Sequence, residues 1–154
     1  MAAEPTSSLD PRMIRVWRTQ EAVSLAVYLL ILVPLLVFVH PAWLVIASVA
    51  VLALQLCALF VLPGLRYRRW RYDVTSTDVL VRSGLIVVKT TVIPMVRVQH
   101  VETKQGPILK ANGLASVRVT TAGSSFEIPG LAAPEAEVLR DRVAVLARIA
   151  QEDV

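Results

Sequence analysis

Two hydrophobic textures divide the chain. From Ala22 to Leu65 apolar residues run almost without interruption, and no Asp, Glu, Lys or Arg occurs. Divided at His40-Pro41, the run gives Ala22–Val39 and Ala42–Leu62. At about 1.5 Å per residue each covers roughly 27 to 32 Å, matching a hydrocarbon core of about 30 Å. Two spans joined by so short a turn run antiparallel. From Tyr72 onward the period changes to two: Val117, Val119 and Thr121 alternate with Ser116, Arg118 and Thr120, and Phe126 and Ile128 flank Glu127, as in half-buried strands. Strands are predicted near 70–75, 78–83, 85–94, 97–105, 115–121 and 125–129, with Pro107–Asn112 as a short helical turn ended by Gly113. Pro134 then opens a last helix, with Glu135 and Glu137 at the positive end of its dipole. Its apolar stripe is Val138, Leu139, Val143, Leu146 and Ile149, opposite Arg140, Asp141 and Arg148. The fold class expected is α+β: an N-terminal two-helix transmembrane hairpin, then an antiparallel β-roll closed by a C-terminal amphipathic helix.

Composition strengthens the membrane reading. A chain of 154 residues that is 55% hydrophobic, with mean hydropathy +0.61, is too apolar to bury its excess only against itself. A cleaved signal peptide fits worse, because its apolar region is only about 7 to 15 residues and ends at a small-residue cleavage site. Pro34 removes one backbone hydrogen bond from the first span and is expected to kink it. Among the few polar span residues Ser24, Ser48 and Gln55, a lone Gln reads as a helix-helix contact rather than a transport site. Cys57, inside a span, acts as a small apolar residue.

Charge sets the orientation. Arg12, Arg15 and Arg18 precede the first span, a cluster follows the second, and the turn between carries neither Lys nor Arg, so both termini are expected in the cytoplasm. The cluster is the collar Arg66, Tyr67, Arg68, Arg69, Trp70 and Arg71, read as the membrane-interface residues: arginines as the positive-inside stop, Tyr67 and Trp70 as headgroup-level rings. Specific headgroup recognition is the alternative, with Lys89 and Lys110 as further cations. Against it, a phosphoinositide site needs a dense basic loop between early strands, and the turn Ser83-Gly84-Leu85 is short and uncharged. The domain organisation expected is a cytoplasmic N-terminal segment 1–21, a transmembrane hairpin 22–65 and a cytoplasmic domain 66–154.

The order LDPR, two spans, LRYRRWRYDVT, VRSGL, VIPMVRVQHVETKQGPILKANGLASVRVTTAG and EIPGL resembles the bacterial pleckstrin-homology-like, membrane-flanked family of YdbS-like membrane proteins, over nearly the whole chain. The resemblance implies a pleckstrin-homology (PH)-like fold in a bacterial cell membrane protein, with multiple passes and no catalytic set to transfer. It singles out Pro94, Arg97, Val98, Gln99, His100, Val101, Gln105, Gly106 and Pro107. Chemically, Arg97, Gln99, His100 and Gln105 form the candidate interaction set, because Arg offers a planar fork of donors and Gln both donor and acceptor for an anion or a carboxylate-bearing partner. The competing reading is structural: strand edges and turns, with Arg97 paired to Glu102 or another carboxylate.

Enzyme signatures are missing. One Cys and two His, with His40 and His100 on opposite sides of the expected topology, assemble neither a metal cluster nor a Cys-His nucleophile pair. No Gly-rich phosphate loop and no G-x-S-x-G occurs. No catalytic residue, metal ligand or cofactor is assigned. Nucleic acid is not expected either: the charge of +4 comes largely from arginines next to the spans, while the domain mixes both signs. The leading expectation is a membrane-anchored PH-like interaction or scaffold module, acting by self-association as a homo-oligomer or by binding a partner membrane protein. The resemblance suggests an export or stress-resistance complex as its setting. The second is a lipid-headgroup sensor at the cytoplasmic face, with membrane lipids as partners in either case.

Overall fold

The computed structural model describes residues 5–39 and 41–153. It forms two compact units, Ile14–Leu65 and the remainder, Met1–Met13 with Arg66–Val154. The first unit is built from two helices, α1 (Met13–Phe38) and α2 (Ala42–Arg69). Both are long and apolar enough to cross a membrane, and only 6% of the most apolar window of each is buried. Leu30, Phe38, Trp43, Leu54 and Phe60 are all exposed by two thirds or more, a surface suited to lipid and not to water. Each helix outlasts its predicted span at the charged end: α1 begins at Met13, ahead of Arg15, Arg18 and Glu21, and α2 continues past Leu62 through Pro63 and Gly64 to Arg69. Helix continuity follows backbone hydrogen bonding, whereas the span reading followed the loss of charge. The α1 helix also runs unbroken through Pro34. Between the two helices, Tyr28 Oη donates to Ser48 O (3.3 Å), while the Oε1 of Gln55 is buried without a partner among the described residues. The turn expected at His40 lies outside the described residues.

The second unit carries two three-stranded antiparallel meanders. One sheet orders β1 (Arg71–Val74), β2 (Asp78–Ser83) and β3 (Lys89–Pro94); the other orders β4 (Val98–Lys104), β5 (Leu114–Thr121) and β6 (Ser125–Ala132). A 3-10 turn at Met95–Arg97 joins the sheets, and the short helix α3 (Pro107–Ala111) links β4 to β5. Inward alternation supplies the core: Val79, Val81 and Ile93 from one sheet, Val98, Val117, Val119 and Ile128 from the other, with Met95 between. The last helix, α4 (Ala133–Glu152), packs on β4, β5 and β6. Arg118 lies between Glu102 (3.6 Å) and Glu127 (3.3 Å) across three strands. This α+β arrangement is that of a PH-like domain.

Three details differ from the expectation. The strand predicted from 85 begins only at Lys89, because Gly84 adopts φ +130° and a Cβ there would lie 1.9 Å from Val87 O; residues 84–88 form a closed loop instead. Strand β6 passes beyond the predicted end at 129: Pro129 and Gly130 together oppose Ser116 in a bulge, after which Leu131 pairs with Ala115. The buried face of α4 is Ala136, Val143 and Ala147, whose small side chains allow a close approach to the sheet, while Val138 and Ile149 of the predicted stripe stay exposed.

Residues before Met13 are also part of this unit. Ser7 and Tyr72 exchange backbone hydrogen bonds (3.1 and 3.0 Å), Asp10 N donates to Gly130 O (2.8 Å), and Leu9 and Met13 are buried. Arg12 reaches Asp10 (2.9 Å) and Asn112 O (3.1 Å). Its guanidinium, held first by the Asp10 hydrogen bond, is raised above its ordinary value. The segment thus extends the β1 edge by one bridge and crosses to the β6 bulge.

Candidate functional site

The signature stretch folds around an irregularity. Pro94 ends β3, Met95–Arg97 makes the 3-10 turn and Val98 enters the core. Register then slips between Val98, opposite Thr121, and His100, opposite Thr120, so that Gln99 is the extra residue of a bulge. Among the described residues strand β4 has no neighbour beyond β5 in its sheet. Bulges at such edges re-aim side chains, and here Arg97, Gln99 and His100 all stand exposed. Arg97 and Gln99 line an open cavity of about 770 Å³ together with the turn Thr121–Ser124 and Gln151 of α4. Gln151 Nε2 donates to Val98 O (2.7 Å), which fixes the end of α4 against the start of β4.

The four predicted interaction residues therefore separate. Arg97 and Gln99 share the larger cavity. His100 faces a second one of about 270 Å³ with Gln99, Ala144 and Arg148, and its Nε2 lies 3.6 Å from Glu102 Oε2. Gln105 belongs to neither: its Nε2 donates to Leu114 O (2.8 Å), clamping the β4–α3 turn to the start of β5. Glu102 is engaged by Arg118 and His100 and not by Arg97; among the described residues Arg97 has no hydrogen-bonding or ionic partner. The site can thus offer a guanidinium fork and an amide at an open sheet edge. Among the described residues no group of three His, Cys, Asp or Glu is placed to hold a metal ion.

The collar residues lie elsewhere. Arg66, Arg68 and Arg69 occupy the last turn of α2, where cations complement the helix dipole, and Trp70 follows it. Arg69 Nη1 donates to Leu85 O (2.7 Å), and Arg71 Nη1 donates to Trp70 O (2.7 Å) and Tyr67 O (3.3 Å). Arg68, Arg69 and Arg71 line a cavity of about 440 Å³ together with Pro5, Val88 and Arg82. Sequence reasoning missed Arg82. The available signal was its alternation with Val81, which turns it to the face opposite the core. Of the two further cations, Lys89 starts β3, beside this cavity's Val88, whereas Lys110 sits on α3 in the β4–β5 connection.

The comparisons agree with this architecture. The family model described as Bacterial PH domain matches residues 22–147. The transmembrane protein YdbS of Bacillus subtilis (strain 168) is 39% identical over 160 residues, an alignment that takes in all of both chains. No solved structure matches the chain. This is not a known enzyme family. With two helices able to cross a membrane, a PH-like domain and a full-length transmembrane relative, the chain belongs to the YdbS-like branch of the bacterial PH domain family.

Proposed function

We propose that the chain is a membrane-anchored interaction module, with two passes and both termini in the cytoplasm, whose PH-like domain holds a carboxylate-bearing segment of a partner membrane protein or of a second copy. The observation that carries this reading is the bulged β4 edge. Arg97, without a partner among the described residues, stands with Gln99 at the rim of an open cavity. An exposed guanidinium beside an amide is a ready recognition fork, and arginine is enriched among the residues that dominate binding energy. The positive flanks of the two spans support the orientation.

The test uses the full-length tagged chain isolated from native membranes in mild detergent. Replacing Arg97 and Gln99 with Ala is expected to lower recovery of the partner, or self-association, by about tenfold or more, while membrane insertion and thermal stability stay unchanged. Undiminished recovery from the double variant would overturn the assignment of this edge.

A further inference from the structure

We infer that the β4 edge docks a second copy of this chain about a two-fold axis, with Arg97 of each copy held by Glu152 and Asp153 of the other. This rests on the interaction module proposed above and deepens it, naming the occupant of the Arg97 edge and the acidic groups that the occupant brings.

Both halves of the contact stand on one rim. Arg97 and Gln99 line the open cavity from the 3-10 turn and the β4 bulge, and Gln151 lines it from α4. Glu152 and Asp153 follow directly, as the last residue of α4 and its C-cap, and both are exposed. The bond from Gln151 Nε2 to Val98 O (2.7 Å) holds this end of α4 against the residue next to Arg97. Within one copy, however, the charges do not pair: among the described residues neither acid has a side-chain partner, and neither has Arg97. A rim with a cation on one side and two acids on the other, each unmatched in its own chain, is complementary to itself. An isologous contact pairs such groups reciprocally, so that each copy gives a cation and receives one.

The same charges select the occupant. A foreign carboxylate drawn to Arg97 also meets Glu152 and Asp153, which oppose it. A partner that carries a cation beside its own carboxylates satisfies all three groups, and this rim is itself such a surface. Val96, 42% exposed in the same cavity, supplies apolar area for the centre of the contact. Gln99 carries both a donor and an acceptor, so its amide is able to pair with the same amide across the axis. Exposed ion pairs are individually weak, but two copies anchored in one membrane meet at a raised effective concentration.

The test uses full-length chains with two different tags, co-expressed in one cell, extracted in mild detergent and isolated through the first tag, with recovery of the second as readout. Wild-type copies are expected to recover one another. R97E in both copies, or E152R/D153R in both, sets like charges opposite one another twice and should lower recovery about tenfold or more. R97E in one copy against E152R/D153R in the other makes both pairs opposite in sign, so recovery should return toward the wild-type level. A variant that merely misfolds is not repaired by a different variant in trans. Absent recovery between wild-type copies, wild-type recovery from R97E in both, or no rescue in the mixed pair overturns the self-docking. If R97A/Q99A still loses a native membrane protein while the mixed pair shows no rescue, the occupant is that protein: the self-docking falls and the interaction module stands. If instead neither set of variants alters any recovery, both fall.

Discussion

Gly130→Ala tests whether the N-terminal segment is part of the PH-like domain. Gly130 has φ +68°, and a Cβ there would lie 2.6 Å from Met13 Cγ and 2.8 Å from Met13 Cβ and Sδ. Two costs combine. The left-handed backbone is unfavourable for an L-residue by about 1 to 2 kcal/mol. The added methyl also meets a side chain that is only 4% exposed, and overpacking of this kind costs about 1 to 3 kcal/mol. Even the low end of the sum, about 2 kcal/mol, lowers the melting midpoint of a domain of this size by roughly 8 to 16 °C.

The assay is the apparent thermal midpoint of the full chain in mild detergent, read at a fixed scan rate because such transitions are often irreversible. Met13→Ala supplies the second arm. It removes Cγ and Sδ and leaves Cβ, so Gly130→Ala should cost less in that background, with the backbone cost remaining. Coupling of about 0.5 to 3 kcal/mol is usual for residues in contact. A midpoint that Gly130→Ala leaves alone, or a loss of the same size with and without Met13→Ala, would refute the packing of the segment on the β6 bulge.

Two further outcomes are open to measurement. Burial first, then the charges of Glu135 and Asp73, raise the Tyr72 phenol above its ordinary value, which is about 10. The folded chain therefore holds this proton to higher pH than the unfolded chain does, so the stability is intact below about pH 10 and declines as pH rises toward the folded value. Tyr72→Phe is expected to flatten that alkaline decline in thermal midpoint, and an unaltered slope would remove Tyr72 as its source. A reporter active only outside the cytoplasm, fused after Val154, is expected to stay silent; a clear signal would invert the proposed topology.

The parts of the fold that were legible in the sequence are those in which one property repeats along the chain. Both apolar helices announce themselves by the absence of charge from Ala22 to Leu65, and β5 by its strict alternation. What escaped depends on single backbone angles or on isolated residues. Leu85–Val88 continues a β-branched, apolar run, and only the positive φ of Gly84 separates it from β3. Pro129-Gly130 reads as a terminator, yet the pair forms a bulge inside β6. On α4 both Val and Ala satisfy helical spacing, and the sheet takes the small residues because they allow closer contact, which leaves Val138 and Ile149 outside. Leu9 is a lone apolar residue in a polar segment, and Met13 opens the short apolar-rich stretch Met13–Trp17, too brief a pattern to show that both side chains are buried in the domain.

The same distinction governs the two candidate sites. The signature stretch was visible because its residues are contiguous, but contiguity did not tell apart the work they do: Gln105 clamps a turn, His100 lies beside Glu102, and only Arg97 and Gln99 share the larger cavity. The bulge makes that separation, by placing Gln99 where strict alternation has no position for it. The arginine cavity was half visible. Arg68, Arg69 and Arg71 form one basic run that can be read as an anchor, whereas Arg82 joins them through the register that sets it opposite Arg71. An anchor is made by composition alone, whereas a cavity lined from α2, β1 and β2 is made by the fold. The Arg71–Arg82 register is therefore a product of strand pairing, and no contiguous stretch of the sequence displays it.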